Sequence, residues 1–279
     1  MNPLKTFGLV GYPVKHSLSP AMHNAAFKFL KMDAQYKLFE LRPEEIGPFF
    51  GCLCEKNIYG VNVTIPYKEA VIPLMDKLTE DASLIGAVNT VKLEDGKLIG
   101  HNTDGNGFIQ DLTVFLPGGV SGINVSIIGA GGAAKAVGIS LARYGAKNIT
   151  FYDIDKNRAK SLAHKIGTEL KLCAAEAMDS IEGLLRNKPD LLINASGVGM
   201  KEADPVLVDK KDIPEGVFVY DLIYNPFKTK LLQLAEESGL RFANGLGMLL
   251  YQGALAFKFW TGQDAPVDQM RKALKEAML

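Results

Sequence analysis

Four polar clusters hold residue types able to do chemistry: Ser17-Leu18-Ser19-Pro20, Asn62-Val63-Thr64-Ile65-Pro66-Tyr67-Lys68, Gly86-Ala87-Val88-Asn89-Thr90 and Asn102-Thr103-Asp104. Their polar side chains are neutral hydroxyls and amides, apart from Lys68 and Asp104. Hydroxyls and amides both donate and accept hydrogen bonds, which suits a small polyhydroxylated acid. Plainer readings stand beside this one. Ser19 can serve as a helix N-cap, Asn89 and Asn102 are also turn residues, and Lys68 taken alone reads as a solvated surface lysine.

A second kind of chemistry is written in Gly129-Ala130-Gly131-Gly132-Ala133-Ala134, which fits G-x-G-x-x-A at Gly129, Gly131 and Ala134. The stretch follows an expected strand and opens an expected helix, the context that gives this motif meaning. Gly129 permits a tight turn, Gly131 lets a pyrophosphate approach the backbone, and Ala134 allows close helix-on-strand packing. The helix N-terminus then offers unpaired N–H groups to a diphosphate. Asp153 lies 24 residues after Gly129, close to the spacing of about 20 at which an acid binds ribose hydroxyls. Its charge repels a 2′-phosphate and favours NAD over NADP. The glycines also fit an ordinary tight turn, and Asp153 a solvent-facing strand end, with Asp155, Lys156 and Arg158 nearby.

Alternating elements must position these groups. Thr6–Gly11, Gln35–Leu41 and Tyr59–Thr64 read as strands, and Pro20–Leu30 and Pro43–Glu55 as helices. Strand, helix and strand then repeat towards Ile99, with an Asp95-Gly96 turn between the last two strands. A second unit opens after a loop at Gly100–Gly107. Its strands are Asn124–Ile128, Asn148–Asp153, Leu191–Asn194 and Val217–Asp221, and its first helix runs from Lys135 to Tyr144. An apolar helix at Met248–Trp260 and an amphipathic one at Pro266–Ala277 end the chain. This order predicts an α/β layer fold in which the tail packs back on the first domain.

Composition narrows the function classes. The 279 residues suit two domains, and 47% apolar content with mean hydropathy +0.07 excludes a mostly disordered chain. Lys plus Arg and Asp plus Glu both number 31, so the balance a phosphate-backbone binder needs is missing and no nucleic-acid partner is expected. No apolar run reaches membrane-helix length, and Met1–Thr6 shows no export signal, so neither membrane contact nor secretion is expected. Three cysteines, Cys52, Cys54 and Cys173, suit reduced thiols in a cytoplasmic protein, and four histidines without CxxC predict no metal site.

In sequence order, these motifs resemble those of the shikimate dehydrogenase family over nearly the whole chain. Carrying the resemblance are Gly11–Pro20 with His23-Asn24, Asn62–Lys68, Gly86–Thr90, Gly100–Asp104 and Gly129–Ala134. It continues through Asn194–Met200, Tyr220–Pro226 and Asn244–Leu249. It implies reversible hydride transfer between 3-dehydroshikimate and shikimate in aromatic amino acid biosynthesis. The implied fold is α/β with two domains: a mixed-sheet substrate domain at 1–105 and a Rossmann dinucleotide domain at 106–243. The active site would lie between them, and helices at 244–279 would return to the first. Lys68 and Asp104 match the catalytic pair. Ser17 and Ser19 match the hydroxyls that hold the substrate carboxylate. Thr64, Asn89, Asp104 and Gln252 match the ring-hydroxyl contacts; Asn62 lines the same pocket and Tyr224 touches substrate. Gly129, Ala130, Gly131, Gly132, Ala133, Asp153, Asp155, Ser196, Leu222 and Gly245 are the expected cofactor positions.

The physics agrees with that assignment. A nicotinamide supplies hydride to a ketone carbon, and the protein must supply the oxygen's proton and stabilise its developing charge. A free lysine is a poor base at neutral pH, and a neighbouring carboxylate favours its charged form, so Lys68 and Asp104 are assigned jointly. One departure bears on the cofactor. Where many members carry Asn-Arg-Thr, whose arginine grips the NADP 2′-phosphate, this chain has Asp153-Ile154-Asp155. That resembles the NAD-preferring quinate/shikimate branch, with NADP still open, and makes quinate a candidate substrate. A quinate-catabolic enzyme, a non-catalytic ring-acid sensor and a folate one-carbon dehydrogenase are the rivals. Intact Lys68 and Asp104 oppose the sensor, and Ser17/Ser19 has no obvious folate role. The sequence leaves a homodimer open.

Overall fold

Strand and helix alternate as the hydrophobic pattern requires and build two six-stranded sheets. The computed structural model describes residues 4–278. Met1, Asn2 and Pro3, read above for an export signal, lie outside the described residues, as does Leu279. The chain divides into two compact units: residues up to Gly107 together with those from Leu249, and Phe108–Met248.

In the first unit the strands are β1 (Lys5–Gly11), β2 (Ala34–Glu40), β3 (Ile58–Val63), β4 (Lys77–Leu78), β5 (Thr90–Glu94) and β6 (Lys97–His101). They are ordered β2-β1-β3-β5-β6-β4. β1 runs parallel to β2 and β3, and β5 runs antiparallel to β3 and β6, so the sheet is mixed. Helices α1 (Ser19–Phe29), α2 (Ile46–Gly51) and α3 (Glu80–Ile85) join them, and α4 (Asp104–Phe115) follows β6. The period-2 pleat sends neighbours to opposite faces: Phe7 and Leu9 enter one core with Met22, Phe27 and Tyr36, while Val10 enters the other with Phe49, Phe50, Val61 and Val91. Each such large apolar side chain, fully buried, contributes about 1.5–3 kcal/mol.

The second unit holds β7 (Asn124–Ile128), β8 (Asn148–Tyr152), β9 (Ala174–Ala177), β10 (Leu191–Asn194), β11 (Phe218–Asp221) and β12 (Phe242–Asn244). All pairings are parallel, in the order β12-β11-β10-β7-β8-β9. Connecting helices are α5 (Gly132–Arg143), α6 (Lys156–His164), α7 (Ile181–Arg186) and α8 (Lys230–Glu237). Strand order reverses at β7, the doubly wound arrangement whose ligands bind outside the carboxyl ends of the strands. After β12 come α9 (Leu246–Thr261) and α10 (Val267–Glu276). Met270 and Leu274 of α10 join Met22, Ala26 and Phe27 of α1 in one core. Trp260 lies against Gly60, where a Cβ would come within 2.5 Å of the indole, and its Nε1–H donates to the Val91 carbonyl at 2.9 Å.

Several boundaries differ from the sequence reading for local reasons. Ser19 is not the N-cap of α1: it is the first helical residue, and its N–H donates to Ser17 Oγ at 3.2 Å. Pro43–Glu55 contracts to a 3-10 turn and the six-residue α2, because Gly47, Pro48 and Gly51 weaken helix propagation. α5 begins at Gly132, inside the glycine motif, not at Lys135. β8 ends at Tyr152, and Asp153 turns away to bond the glycine loop. Units divide inside α4 and α9, where the apolar pattern continues without a break. Among the described residues no helix is long and apolar enough to cross a membrane.

Candidate active site

Pairing directions bring the polar clusters to one edge of the first sheet. β1 and β3 are parallel, so the loops carrying Ser17–Ser19 and Thr64–Lys68 leave from the same end, tied by Tyr12 N–H donating to the Ile65 carbonyl at 3.1 Å. β5 starts opposite Asn62, and Thr90 pairs with His101, which puts Asn89 and Asn102–Asp104 at that end too. Lys68 Nζ donates to Asp104 Oδ2 at 2.6 Å, with the side chains 15% and 5% exposed. The other Asp104 oxygen accepts from Asn89 Nδ2 at 2.8 Å. That same amide reaches Thr103 Oγ1 at 2.9 Å and Gln252 Oε1 at 3.3 Å. Asn62 donates to the Asn89 carbonyl and Thr90 Oγ1. Lys68, Asp104, Asn89, Gln252 and Asn62 thus form one connected group. Ser17 and Ser19 bond each other at 3.2 Å, and Thr64 is half-buried against Gly11, where a Cβ would meet its Cγ2 at 2.4 Å.

A charge-assisted pair this enclosed is costly unless its remaining valences are filled, and here Asn89 fills one carboxylate oxygen. The arrangement holds an ammonium among neutral hydroxyls and amides, a setting able to donate a proton to a substrate oxygen and to steady its charge.

The second unit offers a different surface. Gly129 sits at φ +107° and a Cβ there would press within 3.0 Å of Ala195 and Ser196 backbone, so folding itself requires glycine. At Gly131, by contrast, a Cβ would meet only Arg158, at 3.8 Å. Space over that residue is left open, as a dinucleotide phosphate needs, and Gly132 and Ala133 open α5 there, half-buried. Asp153 Oδ2 accepts the Ala130 N–H at 2.7 Å and Oδ1 accepts the Asp155 N–H at 2.9 Å. Asp153 is therefore tied to the glycine loop, with lone pairs remaining on both oxygens for ribose hydroxyls. Asp155 caps α6 by accepting from Asn157 N–H at 3.0 Å.

At the ends of β10 and β11, Asn194 and Asp221 knit a buried network. Asn194 Nδ2 donates to Asp221 Oδ1 at 3.0 Å, and Asn194 Oδ1 accepts from Ser196 Oγ at 2.6 Å. Burial holds the Asp221 carboxyl above its ordinary range, against the hydrogen bonds from Thr229, Ile223 and Asn194 that lower it. Leu222 is half-buried, and its carbonyl lies 1.9 Å from where a Gly245 Cβ would be, which gives Gly245 a packing reason of its own. Tyr224 stands half-buried on the loop after β11, in this second unit.

Comparison with known proteins matches both ends of the chain. A sequence profile described as "Shikimate dehydrogenase substrate binding domain" covers residues 9–91, and one described as "Shikimate 5'-dehydrogenase C-terminal domain" covers 245–275. A protein of Methanopyrus kandleri named shikimate dehydrogenase (NADP(+)) is 47% identical, over 96% of this chain and 94% of its own length. The chain belongs to the shikimate dehydrogenase family. The Listeria monocytogenes shikimate 5-dehydrogenase, solved with shikimate and NAD, is 37% identical with TM-score 0.86, covering 98% of this chain and 97% of its own. Quinate dehydrogenase from Corynebacterium glutamicum, solved with NAD, is 30% identical with TM-score 0.87, covering 98% and 99%. Shikimate dehydrogenases share the two-sheet α/β architecture described here.

Three residues given no individual role by the sequence join the pocket network, two of them inside the polar clusters and one outside. Tyr36, Thr90 and Thr103 bond directly to the expected pocket residues. Thr90 and Thr103 fell inside quoted clusters, so proximity in sequence was a usable signal. Tyr36 sits on β2, and only strand register brings it to Asn62.

Proposed function

We propose that this chain catalyses the reversible nicotinamide-dependent reduction of 3-dehydroshikimate to shikimate, with the first unit binding the ring acid and the second the dinucleotide. The observation that carries the reading is the enclosed Lys68–Asp104 pair at 2.6 Å, set among Asn62, Asn89 and Gln252. When bound, the dinucleotide supplies or accepts the hydride. In reduction the carbonyl π bond opens, a C–H bond forms from the hydride, and an O–H bond forms with a proton delivered by the Lys68–Asp104 pair. In oxidation the pair receives that proton. Asp104 orients the ammonium, and Asn89 orients Asp104. Ser17 and Ser19 bind the substrate carboxylate, while Thr64, Asn89, Asp104 and Gln252 bind ring hydroxyls, with Asn62 and Tyr224 as further contacts.

Gly129–Ala133 carries the diphosphate, Asp153 the adenosine ribose, and Ser196, Leu222 and Gly245 the nicotinamide side. Asp153 makes NAD the preferred cofactor by repelling a 2′-phosphate. NADP is accepted more weakly, helped by the Arg158 guanidinium beside Gly131. Because the Asp153-Ile154-Asp155 triplet resembles that of the NAD-preferring quinate/shikimate branch, quinate is the candidate second substrate. The test is purified protein with shikimate or quinate against NAD⁺ or NADP⁺, following nicotinamide reduction. Shikimate with NAD⁺ is expected to be fastest; no reduction in any combination would leave a ring-acid sensor as the better reading.

A further inference from the structure

A hydrogen-bond relay reaches the Lys68–Asp104 pair from Tyr36 on β2 through Asn62 on β3 and Thr90 on β5. Tyr36, 3% exposed, donates its hydroxyl proton to Asn62 Oδ1 at 2.8 Å. Asn62 Nδ2 donates to Thr90 Oγ1 at 3.1 Å, and Thr90 donates to Asn89 Oδ1 at 2.9 Å. Asn89 Nδ2 donates to Asp104 Oδ1, whose other oxygen holds Lys68. Asn62 and Asn89 also make side bonds, to the Asn89 carbonyl and to Thr103 and Gln252, but along this path each amide oxygen accepts from the group before it and each amide N–H donates onward.

The start of the relay is held by flat packing. His23, fully buried, stacks on the Tyr36 ring at 4.4 Å and 6°, and Trp260 closes a third side at 6.2 Å from Tyr36 and 5.4 Å from His23. Neither His23 ring nitrogen has a hydrogen-bond partner among the described residues. A buried polar ring without partners calls for an explanation, and here its use is as a plate. It fixes the angle of the Tyr36 ring, and with it the aim of the hydroxyl, without competing for that hydroxyl's proton.

We infer that Tyr36 and Thr90 are positioning residues for the reaction: through Asn62 they lock the Asn89 amide so that it donates to Asp104 and holds the carboxylate against Lys68. This rests on the acid–base reading above. Alternative support for Asn89 exists in the Thr103 N–H donating to Asn89 Oδ1 at 2.8 Å, so the relay tunes the amide and does not create its orientation alone.

The test uses the full-length protein and the variants Tyr36→Phe and Thr90→Val, which remove one hydroxyl each and keep the shape. Each is expected to lower kcat for shikimate oxidation about tenfold, equivalent to about 1.4 kcal/mol, while KM for the dinucleotide stays at the parent value. Because both act on one chain, the double variant should be no slower than the worse single. Thr90→Val carries the test if Tyr36→Phe does not accumulate folded. The relay is overturned by kcat within twofold of the parent in the folded variants, or by losses that multiply in the double. Lys68→Ala, run alongside, separates the two levels. If it is inactive while the relay variants are normal, only the relay falls; if it turns over normally, the acid–base reading falls with it.

Discussion

On the proposed assignment of the proton chemistry to Lys68 and Asp104, Lys68→Ala should lower kcat about 10²–10⁴-fold while shikimate still binds. Single-turnover kinetics and equilibrium titration would measure the two separately, and near-normal turnover would refute the assignment. If Asp153 faces the adenosine ribose as proposed, Asp153→Ala should raise kcat/KM with NADP relative to NAD by removing a negative charge there; an unchanged ratio would assign Asp153 to loop structure alone. His23 gives a pH prediction. Burial lowers its pKa from 6.5 to about 3, so the unfolded chain binds the proton more readily. The neutral ring's contribution is therefore complete above pH 6.5 and is lost as pH falls towards 3, at about 1.4 kcal/mol per unit. His23→Phe should flatten that part of the urea-unfolding stability curve relative to the parent. A parallel curve would show that other groups set the acid limb.

At the scale of elements, the glycine motif separates folding from binding. Gly129→Ala forces a side chain into positive φ and onto the Ala195 backbone, so it should destabilise the fold by about 1–3 kcal/mol or more. Gly131→Ala finds open space and ordinary φ, so melting should stay near the parent value while dinucleotide affinity falls. Equal losses of stability in both would mean the loop's glycines answer only to packing. The strand-loop-helix around this motif was legible in the sequence because β-branched residues, glycines and a small-residue helix follow one another without a gap. Ser19 departs from the expected N-cap for an equally local reason. Serine before a helix is a good capping type, but the atom that receives the Ser19 N–H is Ser17 Oγ, two residues earlier. The helix expected over Pro43–Glu55 shortens to Ile46–Gly51 after a 3-10 turn because two glycines and a proline weaken its propagation.

For the whole molecule, ligand binding should appear as stability. Dinucleotide or shikimate at about 100 times Kd should each stabilise the folded protein by about 2.7 kcal/mol, read as a rise in unfolding midpoint. A rise with dinucleotide and none with shikimate would place the ring-acid assignment in error while leaving the glycine loop intact. The chain order makes such effects informative. The first unit is built from both ends of the sequence, closed by Trp260 on Gly60 and by α10 on α1, so the candidate site draws on Asn89 and on Gln252, 163 positions apart.

Sequence alone determined the family motifs and the α/β alternation, because each is a local pattern with its own spacing, and placed Lys68 and Asp104 in two of those motifs. It could not show that Tyr36 reaches Asn62, that Gln252 reaches Asn89, or that Gly245 answers to the Leu222 carbonyl. Those contacts depend on which strands lie side by side and how helices return over them, a matter of sheet order and close packing that no window of neighbouring residues contains.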